Sequence, residues 1–405
     1  MSAARDIADA VARRSYGKLV AYLAARTRDL AAAEDALSEA FASALTDWPL
    51  RGVPSNPEAW LLTAARRKAI DALRRRRSRE AAAPHLLLLA EELNAVPETQ
   101  IPDQRLALLF ACAHPAIEPG IRAPLVLQTV LGFSAQTIAS AFLTSPSAMA
   151  KRLVRAKEKI RAAGIALAVP GREDLPARLD TVLEAIYAAF AEGWDEDPAQ
   201  RGLAGEAIYL ARLVADMLPQ EPEALGLLAL MLHAEARRAA RRDAAGEFVP
   251  LAEQDVARWD AASIAEAEAL LHRAAALGVL GRYQLEAALQ SAHVFRRRTG
   301  RANWGEIVQF YDALHALTAS PVVAINRALA LAETQGLAAA LAALGAVAGD
   351  PRLAAYQPYW AARAELLTRA AAHEAAREAY DRAIGLEADP AVRRYLLRRR
   401  AALPE

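Results

Sequence analysis

Three clusters of charge carry the chemistry this sequence can do. Between Trp60 and Arg79 the run WLLTAARRKAIDALRRRRSR sets eight basic residues, Arg66, Arg67, Lys68, Arg74, Arg75, Arg76, Arg77 and Arg79, against one acid, Asp71. Cations at this density neutralise phosphates and release counterions, which gives salt-sensitive affinity for a polyanion and little sequence information. Trp60 fits two uses: a stacking surface for an unpaired base, or a core aromatic closing a helix bundle. A second cluster is marked by residue type. Lys is scarce, five against 44 Arg, yet Lys151, Lys157 and Lys159 fall within nine residues of one another. The third cluster is anionic. Glu34, Asp35 and Glu39 in DLAAAEDALSEAFASALTDW would repel DNA, and fit either a solvated helix face or a docking surface for a basic partner helix.

Each cluster needs a helix to aim it. Leu62, Ala65, Ala69 and Leu73 recur at helical spacing, while Arg67 with Arg74, and Lys68 with Arg75, lie seven apart and share a face. The acidic helix is expected over Ala31–Trp48, with Leu30, Leu37, Phe41 and Leu45 as its apolar ridge; Pro49, Pro54 and Pro57 punctuate the gap to a helix ending at Arg77. An earlier helix is read over Asp6–Arg28. Further on, helices are read over Asp103–Ala113, Ile121–Leu131, Ser134–Phe142 and Pro146–Ala163. The last two form a helix-turn-helix pattern: Ser134 caps a short helix with Ile138, Ala139 and Phe142 inward, LTS turns, and Ser145 caps a helix with Pro146 at its first position. In that second helix Ala148, Met149, Leu153, Ala156 and Ile160 supply the buried stripe, leaving Ser147, Lys151, Arg152, Arg155, Lys157 and Lys159 outward. Such a helix fits a major groove, its first turn at base edges and its cations on phosphates.

The chain as a whole is close to neutral, +1 over 405 residues, but its halves differ. Residues 1–161 hold 23 Lys and Arg against 16 Asp and Glu, net +7, and the remainder 26 against 32, net −6. A basic part for a polyanion followed by an acidic part that does not meet one fits nucleic-acid binding plus another function. VPGREDLP, Val169 to Pro176, is the expected break. An Ala- and Leu-rich composition, 54% hydrophobic and poor in β-branched runs, predicts an all-α protein. The N-terminal residues carry acids and no apolar h-region, and no run approaches the roughly 18–20 apolar residues of a membrane span, so a cytoplasmic protein with no membrane partner is expected. Cys112 is alone. His85, His114, His233, His272, His293, His315 and His373 are scattered without ligand spacing, no phosphate-loop or nucleophile-elbow motif occurs, and neither catalysis, a metal nor a cofactor is expected.

From Leu179 onward amphipathic helices end at Pro or Gly. Pro321, Pro351 and Pro390 are spaced by 30 and 39 residues, near the tetratricopeptide period of about 34. The final unit fits best, with Trp360, Ala364 and Leu367 in one helix and Ala376, Tyr380 and Ala383 in the next. Such arrays present a groove for a regulatory protein or peptide.

The succession AEDALSEAF…W, PEAWLLTAARRKAIDALRRRR, a linker, and GFSAQTIASAFLTSPSAMAKRLVRAKEKIR resembles bacterial RNA polymerase sigma factors of the extracytoplasmic-function class. The long helical extension resembles the subgroup with a tetratricopeptide-like C-terminal domain. The resemblance implies a region 2-like domain over residues 1–79, a linker over 80–102, a region 4-like helix-turn-helix domain over 103–168, and a helical domain over 177–405. It implies core RNA polymerase, through its β′ clamp helices and β flap, and promoter DNA as partners. Glu34, Asp35, Glu39 and Phe41 would meet polymerase. Trp60, Arg66, Arg67, Lys68, Asp71, Arg74 and Arg75 would open and read the minus-10 element. Ser145, Ser147, Ala148, Lys151, Arg152, Arg155 and Lys157 would read the minus-35 element. One departure is Arg67, where many members of the class carry Asn. A helix-turn-helix regulator acting without polymerase, with a helical-repeat sensor, is the alternative reading.

Overall fold

In the computed structural model, residues 2–77, 103–142, 144–171, 173–193, 203–301 and 303–404 are described. The expected linker, with HLLLLAEEL, lies outside them. The described residues are helical, and their one β feature is an isolated bridge between Arg242 and Phe248. The chain divides into two compact units, Met1–Met217 and Leu218–Glu405. The first thus extends past the Val169–Pro176 break read from the sequence.

Unit 1 opens with α1 (Ser2–Thr27), α2 (Leu30–Arg51) and α3 (Pro57–Arg77), which pack against one another. Asp29 caps α2 by accepting the Ala32 N–H at 3.1 Å, and Asn56 caps α3 by accepting that of Ala59 at 3.1 Å. The buried face of α2 is Leu30, Ala33, Ala36, Leu37, Ala40, Ala44 and Trp48. Leu45, expected on the ridge, is exposed. The small residues let α2 approach its neighbours closely, so the stripe runs through alanines that a hydrophobicity pattern undervalues. Pro49, expected to end this helix, sits within its last two turns. Its missing N–H removes one bond near an exposed end, and the Gly52 N–H, at φ +83°, closes the helix on the Trp48 carbonyl at 3.0 Å.

Next come α4 (Arg105–Cys112), α5 (Pro119–Leu131), α6 (Ala135–Ala141) and α7 (Pro146–Ala162). They are joined to the first three by an unusually close approach of α1 to α5. A Cβ on Gly17 would stand 2.0 Å from the Val130 carbonyl oxygen, so only glycine fits there. Beside it Gly132, in the left-handed conformation that ends α5, lies under the Tyr16 ring. α8 (Leu175–Glu192) packs on α4 and α5, and α9 (Leu203–Met217) on α8.

Unit 2 runs through α10 (Pro222–Ala236), α11 (Ala261–Ala276), α12 (Arg282–Thr299), α13 (Trp304–Thr318), α14 (Pro321–Thr334), α15 (Leu337–Ala346), α16 (Gln357–Arg369), α17 (His373–Leu386) and α18 (Pro390–Ala401). Each helix packs on its sequence neighbours, and α10 with α12 and α14 with α16 pack as next-but-one pairs, the pattern of stacked helical hairpins. In the final hairpin Ala364, Leu367, Ala376, Tyr380 and Ala383 share one buried cluster, with Trp360 packed against it. No helix among the described residues is long and apolar enough to cross a membrane.

Candidate nucleic-acid interface

The cations of α3 split into two environments. Arg66 is buried: its Nη2 donates to the Tyr22 hydroxyl and its guanidinium lies 5.1 Å from the Tyr22 ring centre. Tyr22 is itself fully buried. As placed, Arg66 ties α3 to α1 and presents nothing to a phosphate, which corrects its assignment to a DNA-facing surface. The neighbouring Arg67 is exposed and Lys68 half-exposed, the latter 3.5 Å from Glu39 on α2. Asp71 is exposed. Arg74 and Arg75 lie in the last turns of α3, and their side chains fall outside the described atoms.

Trp60 keeps both uses open. It packs edge-to-face on buried Trp48 with centroids 5.6 Å apart, yet remains half-exposed on the wall of a hollow of about 680 Å³. Arg51, Asn56, Thr63 and Arg67 share that wall. Arg51 and Asn56 went unnoticed in the sequence; their signal is position, flanking the Pro-rich turn that leads back to Trp60. An aromatic half-face beside two guanidiniums and an amide can stack a planar base and neutralise its phosphate.

On α7 the helix-turn-helix geometry follows its caps. Ser134 accepts the Thr137 N–H at 3.1 Å, and Ser145, with φ −77° and ψ 144°, accepts the Ala148 N–H at 3.2 Å. Met149, Leu153, Ala156 and Ile160 are buried as expected, while Ile138 and Ala139 are buried and Phe142 half-buried. Ser145, Ser147, Lys151, Arg155 and Lys159 are exposed, and Ala148 is half-buried. Arg152 reaches back to Glu118 at 3.5 Å and to the Gly120 carbonyl at 3.2 Å, bracing the start of α5.

Lys157 turns the other way, a second correction to the outward set. Its Nζ forms an ion pair with Glu34 on α2, and both side chains are about nine-tenths buried, at 11% and 10% exposure. One turn further, Arg161 lies 3.4 Å from Asp29, the cap of α2. Burial raises the Glu34 carboxyl above the ordinary glutamate range, and Lys157 offsets part of that rise. The other oxygen of Glu34, Oε1, is buried with no hydrogen-bond partner among the described residues. Of the acids read as one face, Glu34 therefore points inward, while Asp35 and Glu39 are exposed and Phe41 is half-buried. A 100° step per residue separates Glu34 from Asp35.

The family model for sigma-70 region 2 matches residues 11–79, the three helices that carry the hollow and the acidic face. A protein of Rhizobium meliloti (strain 1021), named only as uncharacterized, is 38% identical over 403 residues, covering 96% of this chain and 94% of its own length. Residues 11–79 thus carry a sigma-70 region 2. That match supports a sigma-factor-like role in promoter recognition for this part of the chain. A family of unknown function (DUF6596) matches residues 178–275, from α8 through α11. No solved structure matches the chain. Among the described residues no group of His, Cys, Asp and Glu could hold a metal ion, and Cys112 is buried with its thiol pushed up to about 12.

Proposed function

We propose that this protein is an alternative sigma factor of the extracytoplasmic-function class, whose C-terminal helical domain modulates its activity. The observation that carries the reading is the hollow beside Trp60 and Arg67, which lies inside the segment matched by region 2. Asp35, Glu39 and Phe41 on α2 meet the β′ clamp helices of core polymerase. Arg67 and Lys68, continued by Arg74 and Arg75 and flanked by Asp71, hold the backbone of the minus-10 strand while a base displaced from the duplex rests against Trp60. On α7 the first turn, Ser145, Ser147 and Ala148, faces base edges of the minus-35 element, and Lys151 and Arg155 hold its phosphates.

Run-off transcription with core polymerase on a two-element promoter tests this. Arg67→Ala with Arg74→Ala lowers open-complex formation with recruitment largely kept, whereas Lys151→Ala with Arg155→Ala lowers recruitment, each by about tenfold or more from two lost phosphate contacts. Unchanged transcripts from both pairs refute the assignments. Tight duplex binding without polymerase would favour a plain helix-turn-helix regulator.

A further inference from the structure

Unit 2 closes on itself. The segment between α10 and α11, residues 237–260, reaches the last helix of the chain. Arg242 pairs with Asp389 at the start of α18, Glu247 meets Arg394 at 2.7 Å and Arg398 at 2.9 Å, and Phe248 packs edge-to-face on Tyr395 with centroids 5.5 Å apart. Asp243 accepts the Ala245 N–H at 2.8 Å and that of Glu247 at 2.9 Å, which with the Arg242–Phe248 bridge holds the segment in a tight turn. An open array of helical hairpins leaves a groove along its length, suited to an extended peptide. Here the segment forms one wall of a hollow of about 590 Å³ whose other walls are α14, α16 and α18, so the space is bounded by the chain itself. That volume falls among small-molecule sites, roughly 300–1,000 Å³.

The lining says what kind of molecule fits. Phe248, Tyr356, Tyr380 and Tyr395 supply aromatic surface, and the charged side chains are Glu253, Glu365 and Arg399, one carboxylate in excess. The guanidinium is occupied: Arg399 donates to Glu365 at 2.6 Å and to the Tyr380 hydroxyl. Glu253 has no hydrogen-bond or ion-pair partner for its carboxylate among the described residues. The Tyr395 phenol is raised above its ordinary value, chiefly by burial, with Arg399 opposing and the carboxylates of Glu253 and Glu365 adding. An anion would have to displace Glu365 from Arg399, whereas an ammonium meets an unengaged carboxylate and tyrosine rings.

We infer that this hollow is a small-molecule site for an organic cation with an apolar or aromatic body, its ammonium held by Glu253 and the Tyr395 ring and its body among Ile325, Leu329 and Leu396. The ion pairs of Glu247 with half-exposed Arg394 and Arg398 are individually weak, so the segment opens at little cost to admit the ligand. A cation bound between Glu253 and α18 then fastens it. The site belongs to unit 2 alone and stands whether or not unit 1 engages polymerase.

Isothermal titration calorimetry of the full chain with 4-(2-naphthyl)butylamine, and with the alcohol and carboxylic acid of the same skeleton, tests this. The amine binds one-to-one and about tenfold more tightly than the alcohol, the gain expected of one charge-assisted contact, and the carboxylate binds more weakly than either. Glu253→Gln, at an exposed position, removes the amine's advantage and leaves the alcohol's affinity unchanged. Val322→Trp, also exposed where α14 lines the hollow, fills the space and weakens amine and alcohol together by about tenfold or more, with the helical circular dichroism of both variants unchanged. No saturable binding of any of the three compounds, or binding that Val322→Trp leaves intact, overturns the site. An amine preference that survives Glu253→Gln, or a carboxylate preferred to the amine, overturns its cationic class. An extended octapeptide alternating Leu and Lys that binds more tightly than the amine reveals an open peptide groove and overturns the closed pocket.

Discussion

The two compact units handle buried ionisable groups in opposite ways. Unit 1 buries charge in partnership: Arg66 against the Tyr22 hydroxyl, and Glu34 against Lys157. Unit 2 buries two histidines and keeps its ion pairs largely outside. His233 and His293 are held down to about 4, chiefly by burial, with Arg237 adding to the effect at His233 and Arg296 and Arg237 at His293. Glu247, for example, meets Arg394 at 2.7 Å and Arg398 at 2.9 Å, both about half exposed. The contrast teaches that unit 1 can be rearranged by moving charges, while unit 2 is a scaffold whose stability follows its neutral core.

Acid gives the largest separation of the two. A histidine whose folded value lies below its ordinary 6.5 stabilises the fold fully above that value and loses the contribution as pH falls toward 4. His233 and His293 each account for about 3 kcal/mol lost over that window. The raised value of Glu34 has the opposite sign: the native state holds the proton more readily, so its contribution to the stability of unit 1 does not fall as pH falls. Hydrogen exchange followed by mass spectrometry should therefore show unit 2 peptides deprotecting before those of unit 1. The reverse order breaks the comparison.

Smaller in effect is Arg66→Ala, which orphans the buried Tyr22 hydroxyl and leaves a cavity between α1 and α3, for a loss of about 3 kcal/mol in urea unfolding of unit 1. Lys157→Met comes next. It leaves Glu34 buried without its cation; the carboxyl, already raised by burial, takes up a proton instead of staying charged, which holds the loss to about 1–2 kcal/mol. Exchange in the segments around α2 and α7 should rise while that of α3 does not. The smallest change is Arg394→Ala with Arg398→Ala, below about 1 kcal/mol because exposed pairs are screened, and vanishing in high salt.

The helices, the turn before α7 and the caps Ser134 and Ser145 were legible because capping and 3.6-residue periodicity are local. Arg66 and Lys157 were not. Both sit on helix faces whose outward or inward character is decided by a neighbour remote in sequence, Tyr22 for one and Glu34 for the other, and no spacing rule names that neighbour. Leu45 misled for a related reason, since α2 packs through Ala33, Ala36, Ala40 and Ala44 and its larger apolar residue was left over. The placement of α8 and α9 in unit 1 was equally hidden, because an amphipathic helix declares that it needs a core without saying which.

Binding to core RNA polymerase tests the central claim most directly. Native mass spectrometry of the full chain mixed with core enzyme should show a one-to-one complex, and Asp35→Lys with Glu39→Lys, both exposed, should abolish it without unfolding the chain. No complex with the unaltered chain, or one indifferent to those two charges, would contradict the account.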